Sequence, residues 1–269
     1  DKGIKVVASV ADGQMAINTA IKTPIDVVIL DIEMPVMDGL TALPQLLKAR
    51  EGIKIIMAST LTTRNADISL RALLAGASDY LPKPTSMRDL TGANEFNQLL
   101  LQKVRELGAV ARRGSSQRRT PTASGGNAPS AAAPPAVAKS GNVVALLPLS
   151  PAFRPKILAI GSSTGGPQAL FQVMPHLKGL RIPIMITQHM PPTFTTILAD
   201  HISRQTGVPC HEASDGMAVK AGEAYLARGD YHMELRQQGL QYNLHINQNP
   251  PENFCRPAVD PMLRSVARC

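Results

Sequence analysis

The sequence predicts an α/β protein with two parallel-sheet domains joined by a flexible linker. Three observations carry that prediction. Short apolar runs alternate with helical periodicity from Lys5 to Leu107, and again from Lys156 onward. Side chains able to do chemistry stand at the C-terminal ends of those runs, where parallel sheets bind their ligands. Between the halves, the stretch from Ala109 to Pro151 is rich in Ala, Pro, Ser and Arg and has too little periodic apolar character to fold. The expected divisions are residues 1–107, a linker over 108–152, and residues 153–269.

In the first half, Lys5 to Val10 reads as an apolar strand, followed by a helical pattern through Ile21. Asp26 to Asp31 is a second strand with an acid at its end, and Thr41 to Leu47 a helix with Pro44 inside it. Ile53 to Met57 forms the next strand, closing on Ser59; Ala66 to Ala75 is a helix ended by Gly76. Ser78 to Leu81 leads into Pro82-Lys83-Pro84, and Asn94 to Leu107 is a further helix. Within the linker, Val143 to Leu149 is apolar enough to dock locally.

The second half opens with Ile157 to Ile160 as a buried strand, then Gly161-Ser162-Ser163-Thr164-Gly165-Gly166-Pro167, then Ala169, Leu170, Val173 and Met174 at helical spacing. Pro167 suits a first helical position, where its missing N–H costs nothing. Strands follow at Pro183 to Thr187, Glu223 to Ala227, His232 to Leu235 and Leu240 to Ile246. Helices are expected over Thr193 to Thr206 and from Asp260 to Ala267.

Composition excludes several classes. No apolar run reaches the roughly 18 residues of a membrane span, so the chain is not membrane-inserted. Cys210, Cys255 and Cys269 share no short spacing, which argues against a disulfide framework or zinc site and fits a reducing cytoplasm. The net charge of +8 arises largely between Gly108 and Pro155, where six of the 28 basic residues meet no acid, leaving 22 against all 20 acidic ones. No recognition helix or aromatic-basic platform accompanies that charge, so no nucleic-acid partner is expected.

Three readings of the Gly161–Pro167 turn stay open on pattern alone: an exposed serine nucleophile at Ser163, a phosphate-cradling loop, or a close strand-helix connection. A dinucleotide fingerprint would need Gly where Ser163 stands and an acid about 20 residues on; Gln188 and His189 occupy that region. A serine hydroxyl needs a base to take its proton, and imidazole suits that role. Ser163 and His189 end successive strands of one βαβ unit, which makes them neighbours. His176, His201, His211, His232 and His245 lack such placement and read as structural.

In the first half, Asp31, Ser59 and Lys83 all fall at strand ends. A carboxylate accepts a phosphoryl group when a divalent cation and a lysine neutralise the incoming charge, and a nearby hydroxyl reports its arrival. With Glu33-Met34-Pro35-Val36-Met37-Asp38-Gly39 and Tyr80-Leu81-Pro82-Lys83-Pro84, residues 25–84 resemble the receiver domain of two-component response regulators, a flavodoxin-like fold. The resemblance implies Asp31 as phospho-acceptor, Ser59 as switch hydroxyl, Lys83 as phosphate-pairing cation, a cis bond before Pro84, and Mg2+ held by Asp31 and the main-chain carbonyl of Glu33. The family begins with a further strand ending in adjacent acids; this chain opens at Asp1 without it, so the metal site as given is incomplete.

Ala159-Ile160-Gly161-Ser162-Ser163-Thr164-Gly165-Gly166-Pro167, Thr187-Gln188-His189-Met190-Pro191-Pro192 and Arg256-Pro257-Ala258-Val259-Asp260 resemble the chemotaxis protein-glutamate methylesterases, whose catalytic domain is doubly wound. That resemblance covers nearly the whole chain. It implies phosphorylation-regulated hydrolysis of glutamyl methyl esters on chemoreceptors, with glutamine deamidation, and a chemotaxis histidine kinase as partner. It also implies a cytoplasmic protein at receptor arrays whose esterase chemistry needs no cofactor. Ser163 matches the nucleophile, His189 the base, and Thr164 the residue supporting the site. The family's triad Asp lies beyond Cys269, and Asp260 reads as structural, so the residues given are expected to be poorly active alone. The alternative is a receiver with a non-catalytic output domain that binds receptors or kinase.

Overall fold

The structure, a computed structural model, describes residues 3–60, 62–83, 90–116 and 154–269. The first half comprises α1 (Gly13–Lys22), β1 (Val27–Asp31), α2 (Gly39–Ala49), β2 (Lys54–Ser59), α3 (Thr63–Leu74), β3 (Asp79–Pro82) and α4 (Leu90–Ser116). Its strands form a parallel sheet in the order β1-β2-β3, with Asp31 opposite Ala58 and Ser59 opposite Pro82. Ile55, Ile56 and Met57 of the middle strand are fully buried. Burial on both faces explains why β2 reads as a continuous apolar run rather than an alternating one.

Three helix starts are fixed by side chains that satisfy otherwise orphaned N–H groups. Asp12 accepts from the Met15 N–H (2.8 Å), Asp38 from Thr41 (2.7 Å) and Thr62 from Asn65 (3.2 Å). Pro44 stands inside α2 and cannot bond back to the preceding turn, but Leu43 and Leu46 are fully buried and hold the helix in place.

Two expectations for this half are corrected. Residues 4–10 form no strand: β1 pairs with β2 alone among the described residues, and Val6 is 81% exposed. An apolar run without a ladder partner gains no hydrogen bonds from extension. The helix expected to end at Leu107 runs to Ser116, because Ala109, Ala111, Arg112 and Arg113 are strong helix formers as well as linker residues. Pro84, with the cis bond expected before it, and the apolar stretch from Val143 to Leu149 lie outside the described residues, as does the linker after Ser116 up to residue 152.

The second half comprises β4 (Leu158–Ser162), α5 (Gly166–Val173), a 3-10 turn (Met174–Leu177), β5 (Ile184–Gln188), α6 (Phe194–Thr206), β6 (Cys210–Glu212), β7 (Ala224–Leu226), β8 (His232–Gln238), β9 (Gln241–Asn247) and α7 (Val259–Arg268). A parallel sheet runs β4-β5-β7-β6, and β8-β9 forms an antiparallel hairpin beside it. The strand β6 was not foreseen: three residues, Cys-His-Glu, carry no periodic signal and are recruited by pairing with β7. Helix α7 packs on β8, β4 and β5. A Cβ at Gly161 would stand 2.6 Å from Val259 Cγ1, so glycine there lets α7 lie close on β4. Met262 and Ser265 are fully buried beneath that helix, and Ser265 Oγ accepts from the Leu235 N–H at 2.8 Å.

One apolar cluster runs through both halves, with α3 packed against α5 and α6. The Tyr80 ring stacks on Phe194 with centroids 4.5 Å apart, and both are buried. Gln168 Nε2 donates to the Leu73 carbonyl (3.2 Å), and His201 Nε2 pairs with Asp67 Oδ1 (3.1 Å).

Candidate functional site

At the C-terminal edge of the first sheet, Lys83 Nζ meets Asp31 Oδ2 at 2.5 Å. The parallel register makes this possible: β1 delivers Asp31, and Lys83 follows β3, its backbone N–H bonded to the Ser59 carbonyl at 2.7 Å. Both side chains are about one-third exposed (36% and 35%), so the pair is accessible and partly screened by water. Ser59 stands on the strand between them. Its hydroxyl, however, is buried and shares a hydrogen bond with Ser69 Oγ at 3.0 Å. The Glu33 N–H donates to Asp31 Oδ1 at 3.3 Å.

Magnesium prefers hard oxygen donors, takes one or two carboxylates and keeps several waters. The Asp31 carboxylate and the Glu33 carbonyl are donors of that class and fit part of such a set. No group of three His, Cys, Asp or Glu side chains gathers there among the described residues.

At the equivalent edge of the second sheet, β4 and β5 lie side by side with Ser162 opposite Gln188. The chain continues one residue on each strand to Ser163 and His189, and His189 Nδ1 lies 3.2 Å from Ser163 Oγ. Gln188 holds this end together. It is 2% exposed, accepts from Ser162 Oγ at 2.6 Å, and donates through Nε2 to the carbonyls of Ser163 (3.0 Å) and His189 (3.3 Å). Gly166 is required beside it, since a Cβ there would fall 2.0 Å from Gln188 Oε1. Gly165 takes the left-handed φ of +74° that opens α5, and the half-buried Thr164 lies in the same turn.

Burial is the main reason that the His189 pKa falls below the usual imidazole value; the charge of Lys103 on α4 lowers it further, while Asp260 works the other way. Lys103 belongs to the first half, where it pairs with Asp79 at 2.5 Å. Cys255 Sγ also approaches His189 Nδ1, at 3.5 Å. Burial raises the pKa of that thiol, with Asp260 adding to the shift.

Sequence reasoning placed Ser163, Thr164 and His189 together, and Asp31 with Lys83. It missed Gln188 as a brace and Cys255 as a neighbour of the imidazole. A polar residue ending an otherwise apolar strand was a usable signal for Gln188; Cys255 is 66 residues from His189 and gave none. Among the other histidines, His201, His211 and His245 meet Asp67, Glu223 and Asp215. The buried His232 lies 3.1 Å from the Pro250 carbonyl and accepts from the Ala258 N–H.

Two families match the two halves: the response regulator receiver domain over residues 1–95, and the CheB methylesterase over residues 158–269. A protein-glutamate methylesterase/protein-glutamine glutaminase of Rhodospirillum centenum is 57% identical across 100% of this chain and 70% of its own length. The chain belongs to the protein-glutamate methylesterase family. A second member, from Azospirillum brasilense, is 54% identical over 100% of the chain and 68% of its own length. A third, from Paramagnetospirillum magneticum, is 53% identical over 99% and 71%. In this chain a phosphorylation-type receiver precedes the methylesterase domain. No helix among the described residues is long and apolar enough to cross a membrane.

Proposed function

We propose that this protein hydrolyses glutamate methyl esters on chemoreceptors and deamidates receptor glutamines, under control of phosphorylation at Asp31. The observation that carries the reading is the 3.2 Å approach of Ser163 Oγ to His189 Nδ1 on adjacent strand ends of a methylesterase domain. His189, kept neutral near pH 7 by its lowered pKa, takes the Ser163 proton as the hydroxyl oxygen attacks the ester carbonyl. N–H groups at the start of α5 would stabilise the developing oxyanion. The imidazolium then returns its proton to the departing methoxide, releasing methanol and leaving a glutamyl ester on Ser163. Water, activated by the same imidazole, frees the carboxylate. Deamidation follows the same course with ammonia as leaving group. Thr164, in the same turn, supports the placement of Ser163.

In the receiver, Asp31 accepts the phosphoryl group from a histidine kinase, Lys83 balances its charge, and Ser59 turns from Ser69 toward it. Magnesium, held by Asp31 and the Glu33 carbonyl, would neutralise charge during that transfer. The packing of α3 on α5 and α6, and the proximity of Lys103 to His189, support a receiver that restrains the esterase when unphosphorylated. Domain divisions at 1–107, 108–152 and 153–269, a cytoplasmic location and association with receptor arrays belong to this reading.

The test is Ser163→Ala in the full-length protein. Methanol release from methylated receptors should fall on the order of 10⁴-fold or more. Unchanged release would instead favour a non-catalytic output domain.

A further inference from the structure

Beside the Ser163–His189 pair, Glu252 and Cys255 exchange both backbone hydrogen bonds, at 3.1 and 2.9 Å. Asn253 and Phe254 form the two-residue tip between them, with φ of +51° and +63°. That pair of left-handed residues makes a tight hairpin turn, a place where Asn and Gly are favoured and a bulky aromatic is an outlier. Phe254 is also fully exposed, at 101%. Among the described residues nothing buries this ring, and its backbone is strained, so their packing does not explain it.

The tip is held firmly. Arg264 makes a two-pronged pair with Glu252, and Asn253 Nδ2 donates to Asp260 Oδ2 at 3.4 Å. Just beyond, Arg256 bonds Asp230 twice (2.9 and 2.7 Å) and reaches the carbonyls of Gln248 and Asn249. Phe254 precedes Cys255, whose Sγ lies 3.5 Å from His189 Nδ1. A rigid, strained turn therefore displays an unburied aromatic ring one residue from a group that touches the reactive imidazole.

We infer that Phe254 is a substrate-gripping residue: its ring packs on an apolar side chain of the receptor segment, next to the glutamyl ester presented to Ser163. The inference rests on the esterase reading above. Phe254 touches no reacting atom, so it acts on binding rather than on the bond-breaking steps. A left-handed position at a fixed turn holds the ring ready, so little freedom is lost when the substrate arrives.

The experiment compares full-length wild type, Phe254→Ala, Phe254→Leu and Phe254→Gly by methanol release from methylated receptor membranes. Phe254→Ala should raise KM roughly tenfold or more with kcat little changed, the pattern of lost binding. Phe254→Leu, which keeps apolar bulk, should recover much of that loss. Phe254→Gly should bind as poorly as the alanine variant while melting no lower than wild type, because glycine relieves the strained φ. An unchanged kcat/KM in Phe254→Ala overturns the inference alone, as does a fall confined to kcat. A wild-type protein that releases no methanol overturns the esterase reading and this role together.

Discussion

At the residue scale the second site depends on what surrounds one imidazole. His189 is pushed toward the neutral form by burial first and by Lys103 second, while Asp260 pulls it back. In the proposed mechanism the base form is the working form, so activity should be lost as pH falls through the His189 pKa. The acid limb of kcat/KM should therefore lie below the ordinary imidazole value of about 6.5. Replacing Asp260 with Asn removes the one named charge that favours protonation, so the limb should move to still lower pH in a pH–rate profile. A limb that moves upward would mean that Asp260 does not act on His189 as described. Ser163 and His189 were legible in the sequence because strand ends announce themselves through apolar runs that stop at Gly or at a polar pair. Cys255 was not, because a loop that folds back across the sheet leaves no periodic trace.

At the scale of elements, the parallel strands and most helices followed from apolar patterning, and the departures have physical causes. The run from Lys5 to Val10 has strand composition but no ladder to join. Short β6 has a ladder but no strand composition, since it reads Cys-His-Glu. Pairing decided both against composition. Ser59 is a similar case: its strand-end place was readable, but its hydrogen bond to Ser69 was not. Helix α7 shows how far an element reaches. Met262 is fully buried against the β8–β9 side of the core, and the Thr187 hydroxyl lies 3.3 Å from its sulfur. Met262→Ala should cost about 2–5 kcal/mol in denaturant unfolding of the full-length protein. A loss well under 1 kcal/mol would show that α7 does not pack on this sheet as described.

At the scale of the whole molecule, two sheets each present chemistry at the ends of their strands, and one apolar cluster joins them. Tyr80, just before Lys83 in the receiver, stacks on Phe194, which opens the helix after His189. Helix α4 carries Lys103 to within electrostatic reach of His189. A phosphoryl group on Asp31, as proposed, would change the charge at the Lys83 end of β3, the same short strand whose Tyr80 meets the esterase. Packed elements therefore join the two halves that carry these sites. We propose that phosphorylation at Asp31 releases an esterase held back by the receiver. The direct measurement is the rate of methanol release from methylated receptors, with and without a phosphodonor. It is made on the full-length protein, on Asp31→Asn, and on a version lacking residues up to 152. The full-length protein should be slow and speed up on phosphorylation, Asp31→Asn should stay slow, and the shortened protein should be fast throughout. A shortened protein no faster than the unphosphorylated whole, or a stimulated Asp31→Asn variant, would contradict this release.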